Sequence, residues 1–443
     1  MKSFRKYLIL ALAVVLGGFA SCNKVDYPDR FASTDGKPTV DYIRYADKDL
    51  FIEQGYMNEV VCFVGSNLRS VKEVWFNDQQ ASLNTSYITD NTLLVSIPKN
   101  QPTKQTDMAY LIASADTVKV PFKVLPPSPA ATSMSCEYAK PGTQATIYGE
   151  YFIDLEYVRF QGLDATVYVD DEALLTYDAT AISLIIPEGA ESGQVIVKTN
   201  SGESAAMFQY QDQRGLLFDF DGKTGLGNHG WHNMTITSGA TDGISGEYLQ
   251  LGDGSSALDG DGQWDDSHFS FEYWPGNWED PETFTAPDGV LLTDLADFSS
   301  WSSMAYKFEL CIPAENPWCG NAMQIIPGGV DMVSYGAAGA VSAIDGTILG
   351  GCNNTYISGN EVPRALYRPW NNADGSYDTD GKWITVTVPM SDFKYGYDGS
   401  TATGDLSPSS FTSLCLFVCG GGVSGTTSAP VLKIDNIRAV PIK

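Results

Sequence analysis

Gly65-Ser66-Asn67-Leu68, followed by Val74-Trp75-Phe76 and then Ala81, returns as Gly149-Glu150-Tyr151-Phe152, followed by Val158-Arg159-Phe160 and then Ala165. The step from Gly to Val is nine residues in both copies, and the step from Val to Ala is seven. Each copy continues into a short apolar run stopped by proline: Leu93-Leu94-Val95-Ser96-Ile97-Pro98 and Ile182-Ser183-Leu184-Ile185-Ile186-Pro187. Alternating strands of this length, with turn signals every 8–12 residues, predict a β-sandwich. The repeats occupy 37–125 and 126–211, joined by Leu125-Pro126-Pro127-Ser128-Pro129. Proline fixes φ and lacks a backbone donor, so this joint is short and stiff. The joint to the following segment, 209–215, has no proline and is expected to flex more.

The remaining segment, 212–443, has strands of the same alternating kind but no copy of the repeat. It opens with Leu216-Leu217-Phe218-Asp219-Phe220-Asp221-Gly222 and closes with Val431-Leu432-Lys433-Ile434-Asp435-Asn436-Ile437-Arg438-Ala439-Val440. Runs at 303–310, 382–389 and 414–418 are further half-buried strands. No long stretch has helical periodicity. The expected fold is all-β: two immunoglobulin-like sandwiches followed by a C-terminal β-jelly roll.

Bulk numbers narrow the function. A chain of 443 residues holds about three domains. Its formal charge is −27, a field that repels nucleic acid and anionic headgroups. Charged residues make up only 18%, which fits a folded extracellular β-protein rather than an acidic disordered tail. The N-terminus has basic Lys2, Arg5 and Lys6, then an apolar run from Leu8 to Phe19. That run is a signal segment, too short to span a bilayer.

Gly17-Gly18-Phe19-Ala20-Ser21-Cys22 resembles a bacterial lipobox, with Phe19 where leucine is usual. The resemblance implies cleavage after residue 21, lipidation of Cys22 and a tether over 22–36. The polar, acidic stretch Asn23 to Asp29 is similar to a Bacteroidetes surface-export tag. Together they imply a lipid-anchored protein at the outer-membrane cell surface. Seven cysteines follow: Cys62, Cys136, Cys311, Cys319, Cys352, Cys415 and Cys419. Cys62 and Cys136 sit in apolar runs as small core residues. Cys311 with Cys319, and Cys415 with Cys419, are candidates for local bridges. The three histidines and the absence of a close CxxC pair give no zinc pattern.

Eight of the nine tryptophans fall at or beyond residue 231. Several occupy Gly/Pro/Asn-rich stretches that read as loops, such as Tyr273-Trp274-Pro275-Gly276-Asn277-Trp278. Exposed indoles among amides and acids suit a flat amphipathic ligand. The C–H face of a sugar stacks on the ring and its hydroxyls meet the polar rim. The ligand-contact candidates are Trp231, Tyr273, Trp274, Trp278, Trp264 and Trp370. Trp301, Trp318 and Trp383 flank or begin strands and read as core. Asn228, Asn277, Asn371 and Arg368 are weaker candidates for hydroxyl contacts. No catalytic residue is assigned, and the chain is read as a binder and not an enzyme. The rival hydrolase reading needs two carboxylates roughly 5–9 Å apart. Asp265, Asp266, Glu272, Glu279 and Asp280 lie among the aromatics, but 54 acidic residues make such proximity cheap. An adhesin binding a host or matrix protein is the other alternative. No cofactor is required; a structural calcium on Asp219, Asp221 or Asp435 is considered, while Asp259-Gly260-Asp261-Gly262 reads as an acidic turn.

The repeats resemble the IPT/TIG module, a spacer. The "FDFDG" opening and "IDNIR" closing strands look like those of carbohydrate-binding jelly rolls. With the lipobox, the whole mature chain resembles the Bacteroidetes surface glycan-binding lipoproteins of the SGBP-B type, with a xyloglucan-binding-domain-like C-terminal domain. That resemblance implies non-catalytic capture of a plant-type or other neutral polysaccharide on an aromatic platform that includes Trp231 and Tyr273-Trp274. It also implies a SusC/SusD-like outer-membrane importer as partner.

Overall fold

The computed structural model describes residues 34–442 except 115, 227–234, 238–241, 261, 263–266, 274–289 and 329–358. No helix among the described residues is long and apolar enough to cross a membrane. The chain divides into two compact units, one ending at Pro127 and the other beginning at Ser128. The division falls inside the predicted proline joint.

The first unit is a sandwich. Thr39–Tyr45, Val60–Ser66 and Thr92–Ser96 form one sheet; Gln79–Ala81, Val71–Phe76, Met108–Ala113 and Thr117–Pro121 form the other. Phe63, Val74, Phe76, Leu93, Leu111 and Phe122 fill the space between them. Phe76 meets Phe122 edge-on at 5.6 Å.

The second unit begins with the other copy of this sandwich. Ala130–Met134, Gln144–Glu150, Ala181–Ile185 and Leu175–Tyr177 face Thr166–Tyr168, Leu155–Gln161, Glu191–Thr199 and Gly202–Tyr210. The repeated residues have repeated roles. A Cβ on Gly65 would lie 1.9 Å from the Thr39 carbonyl oxygen, and one on Gly149 would lie 2.1 Å from that of Ala130. In each copy the first strand crosses so close that only glycine fits. Asn67 and Tyr151 then turn through the left-handed region at φ 55° and 61°. Leu68 and Phe152, Val74 and Val158, and Ala81 and Ala165 occupy matching core positions.

The jelly roll has two stacked sheets. In one, Leu432–Pro441 lies centrally, with Tyr248–Leu251 and Leu216–Phe218 along one edge and Met304–Cys311 then Ile384–Pro389 along the other. Leu216 pairs with Arg438 and Phe218 with Ile437, so the domain's opening and closing strands are neighbours. The other sheet is Ser270–Tyr273, Ser413–Val418, Met323–Gly328 and Ala365–Tyr367. Phe218, Phe271, Tyr306, Phe308, Leu416 and Ile434 belong to the core between them.

The expected flexing of 209–215 is not what the structure shows. The second sandwich and the jelly roll pack as one compact unit. On the first jelly-roll sheet, Lys307, Glu309, Thr385 and Arg438 alternate with core residues and point away from the core. They are covered by residues 135–138 of the sandwich. Arg438, with no exposed surface, donates to Glu137 Oε2 at 2.7 Å and to Glu309 Oε2 at 2.8 Å. Its guanidinium also lies over the Tyr138 ring, 4.9 Å from the centroid. Lys307 binds the other oxygen of Glu137. Thr385 receives the Glu137 amide on its hydroxyl and sends its own amide to the Ser135 carbonyl. Two cations and two anions thus close a neutral buried set. Burial drives the Glu309 carboxyl upward and Arg438 opposes it. The two carboxylates hold Arg438 protonated although burial acts the other way. The Cys415–Cys419 and Cys311–Cys319 bridges are corrected: Cys311, Cys319 and Cys419 are free thiols. Cys415 and Cys419 are four residues apart on an extended segment, about 13 Å at strand rise, far beyond disulfide reach.

Removing one member of the set leaves buried charge without a partner. Arg438→Met is expected to lower the stability of the second unit by about 3–5 kcal/mol. Urea unfolding of the full chain checks it, and exchanging Glu137, Glu309 and Lys307 for apolar residues in the same variant should recover most of the loss.

Candidate functional site

The second jelly-roll sheet organises the loops around 359–364, 395–397 and 419–421. Alternation sends Phe271, Tyr273, Leu414, Leu416, Met323 and Ile325 inward to the core. Ser270, Glu272, Cys415, Phe417, Gln324 and Ile326 take the opposite face, which is also buried. Val362 and Tyr397 pack on it. Polar groups there stitch loops to the sheet. Gln324 donates to the Cys419 carbonyl at 2.8 Å and the Tyr397 carbonyl at 3.2 Å, and accepts from Arg364 at 2.8 Å. Arg364, fully buried, also donates to the carbonyls of Val362 and Gly359. Arg368 holds the Gly421 carbonyl. The loops around 359–364, 395–397 and 419–421 are therefore tied to the sheet through Gln324 and to one another through the Arg364–Tyr395 bridge, the Tyr397 amide on the Gly359 carbonyl and the Gly421 amide on the Tyr397 carbonyl.

Trp231, Trp264, Trp274 and Trp278 lie outside the described residues, as do Asn228 and Asn277. Tyr273 and Trp370 are described, and both are corrected. Tyr273 ends its strand on the inward face, 3% exposed, edge-on to Phe218 at 5.3 Å. Its hydroxyl donates to the Val290 carbonyl at 2.7 Å, and burial pushes its pKa up to about 12. Trp370, also 3% exposed, sits in the turn Pro369–Asn372 and donates its indole N–H to the Asn321 carbonyl at 2.7 Å. Neither ring offers a face to a ligand. Both fix loops from within. Trp318 is core, as its setting in the sequence suggested, with its N–H on the Gly320 carbonyl. Trp301 and Trp383 are half-buried.

The considered calcium ligands are each engaged by the chain's own donors. Asp219 accepts the Lys223 and Thr224 amides, Asp221 accepts the Glu247 amide, and Asp435 accepts from the Ser245 hydroxyl and the Asn436 amide. Among the described residues no group of three His, Cys, Asp or Glu is placed to hold a metal ion. Asp259 turns back on itself, its carbonyl taking the Gly262 amide and the Asn321 side chain.

Sequence alternation missed Glu137, Glu309 and Arg438, which position the whole domain. A charged residue at an outward strand position looks solvated whether water or another domain covers it. The only hint was Arg438 itself, set between Ile437 and Ala439-Val440 in the closing strand.

Residues 210–441 match the model of the surface glycan-binding protein B xyloglucan binding domain. The crystal structure of PbSGBP-B, a surface glycan-binding protein from Prevotella bryantii, is 40% identical. It superposes with a TM-score of 0.74, covering 92% of this chain and 100% of that one. The chain belongs to the surface glycan-binding protein B family. An IPT/TIG domain-containing protein of Bacteroides ovatus is 25% identical over 233 residues, 47% of this chain and 46% of that relative. The chain thus spans about half the length of that curated relative. For this SGBP-B-type chain, the comparisons agree with two immunoglobulin-like modules leading to a glycan-binding jelly roll.

Asp435 gives a pH signature. Burial pushes its carboxyl up to about 8, with Glu309 and Asp221 adding to the rise. The unfolded chain loses that proton near pH 4, the folded chain near 8. Stability of the second unit is therefore expected to fall as pH rises from about 4 to about 8. Asp435→Asn should flatten that fall and stabilise the protein at pH 8 by on the order of 2–5 kcal/mol, since a tenfold change in proton affinity is worth about 1.4 kcal/mol. Thermal unfolding of both proteins across pH 5–9 checks it.

Proposed function

We propose that this protein captures a neutral plant-type β-glucan, xyloglucan first among them, without cleaving it. The observation that carries this is the extent of the family match: residues 210–441 contain every tryptophan but Trp75. Indole faces stack on consecutive sugars, and side-chain amides meet the hydroxyls. Trp231, Trp274, Trp278 and Trp264 are the contacts proposed here; Tyr273 and Trp370 support the loops. Each site is weak, with Kd of roughly 1 μM to 1 mM. Polymer binds apparently tighter, because many registers and many tethered copies engage one chain.

The setting belongs to the same proposal. Cys22 carries the lipid, the protein is held at the outer-membrane surface, and captured chains pass to a SusC/SusD-like importer. Weak individual sites suit that handover. One feature favours a binder over a hydrolase. Glu272, the one candidate carboxylate among the described residues, is fully buried. A general acid must instead reach a glycosidic oxygen.

Affinity electrophoresis of the full chain in gels containing neutral and acidic polysaccharides tests the proposal. Residues 212–443 alone are a poor probe, because cutting there uncovers Arg438 and Glu309. Retardation by xyloglucan is expected, and Trp274→Ala and Trp231→Ala should each weaken it at least tenfold at unchanged stability. Trp370→Ala should instead cost about 3–5 kcal/mol of stability as a buried indole. Retardation by no polysaccharide would shift the reading to an adhesin for protein, and shortening of the glycan during the run would shift it to a hydrolase.

A further inference from the structure

The junction that Arg438 closes also makes a cleft. It has a volume of about 330 Å³ and is lined from both domains of the second unit. That size lies at the lower end of ligand pockets, which run from about 300 to 1,000 Å³. Ala139 and Ile244 are buried at its base, and half-buried Trp383 lines one side. Lys140, Gln144 and Lys382 are exposed around it.

Trp383 is held in place. Its N–H donates to the Asp242 carbonyl at 2.8 Å, and Tyr248 meets it edge-on at 5.6 Å. Lys433 lies 5.6 Å from the centre of the Tyr248 ring and pairs with the Asp242 carboxylate. The Thr385 amide on the Ser135 carbonyl ties the two domains together beside the cleft. The site is therefore formed before any ligand arrives, so little ordering is left for binding to drive. A fixed indole beside an aliphatic base, with amide, hydroxyl and ammonium groups around the mouth, has the two-sided chemistry of a pyranose. A purely apolar ligand would strand those polar groups.

We infer that this interdomain cleft is a second sugar subsite, taking one or two neutral pyranose units of the glycan that the aromatic platform captures. The inference rests on the β-glucan reading above. A long chain engaging both places would dissociate more slowly than from either alone, whereas a short oligosaccharide would gain nothing from the second.

The test is affinity electrophoresis of the full chain in xyloglucan, with isothermal titration of a xyloglucan heptasaccharide alongside. Gln144→Tyr narrows the mouth, and Gln144→Ala/Lys382→Ala removes hydrogen-bonding groups from it while leaving the Trp383 packing intact. Both are expected to weaken polymer retardation by about 3- to 10-fold, with heptasaccharide affinity at the platform unchanged. In a Trp231→Ala/Trp274→Ala background, residual polymer binding should remain and should disappear on adding Gln144→Tyr. Cleft variants with normal retardation, in a protein whose binding is abolished by Trp274→Ala, would overturn the second subsite and leave the proposed function standing. A wild-type chain that xyloglucan does not retard would overturn both. Should Gln144→Tyr unfold the protein, the rim double variant decides alone.

Discussion

One guanidinium sets the geometry of the second unit. Arg438 leaves the jelly-roll sheet, meets Glu309 from the neighbouring strand and Glu137 from the sandwich, and has no exposed surface. Buried ion pairs are weak evidence for stability, because desolvation offsets most of the attraction. Their effect is on register. An apolar interface tolerates sliding by a residue, since one methyl group replaces another. This one does not, because a shift by one position would leave four charges in low dielectric without partners. The Asn436 bulge, at φ 50°, makes the arrangement available. It inserts an extra residue between Ile434 and Ile437, so that both stay in the core while Asp435 and Arg438 share the outward face.

This has a direct bearing on glycan capture. A binding domain on a loose tether searches a large volume but spends orientational freedom on each encounter. Here the jelly roll and the preceding sandwich move together, so the loops fixed by Gln324 and Arg364 keep a constant relation to residues 128–211. The two anchoring systems lie on different sheets of the jelly roll. One joins domain to domain, the other joins loops to sheet, and the aromatic core lies between them. Strain at one is resisted by a packed interior before it reaches the other.

Much of this was legible in one dimension. Gly65 and Gly149 recur because a strand passes within about 2 Å of where a Cβ would be, so the spacing in the sequence records a contact. The alternation at 216–220 and 432–440 gave two strands, and their pairing follows from the shape of a closed jelly roll. What alternation cannot register is the identity of the cover. Glu309, Thr385 and Arg438 alternate as a solvated face would, yet a second domain lies on them. Nor does loop-like composition register depth: Pro369 and Asn371 read as surface, while the indole between them is buried.

Tryptophan number is for that reason a poor count of binding sites in such a domain. Trp318, Trp370 and Trp383 each donate their indole N–H to a backbone carbonyl in a loop or turn. A jelly roll with long loops has many carbonyls outside the sheet ladders, and each one that is buried needs a donor. Indole supplies that donor together with the largest apolar surface of any side chain, so it closes a loop onto the core in a single residue. The same two properties make it a sugar platform when it faces outward. Selection for long loops and selection for glycan contact therefore enrich the same residue. The two uses are separated by where the N–H points: a ring whose N–H is taken by its own backbone is a strut first. In the proposed second subsite Trp383 would combine the two roles, since its N–H is taken by Asp242 while the indole still lines an open cleft between two domains.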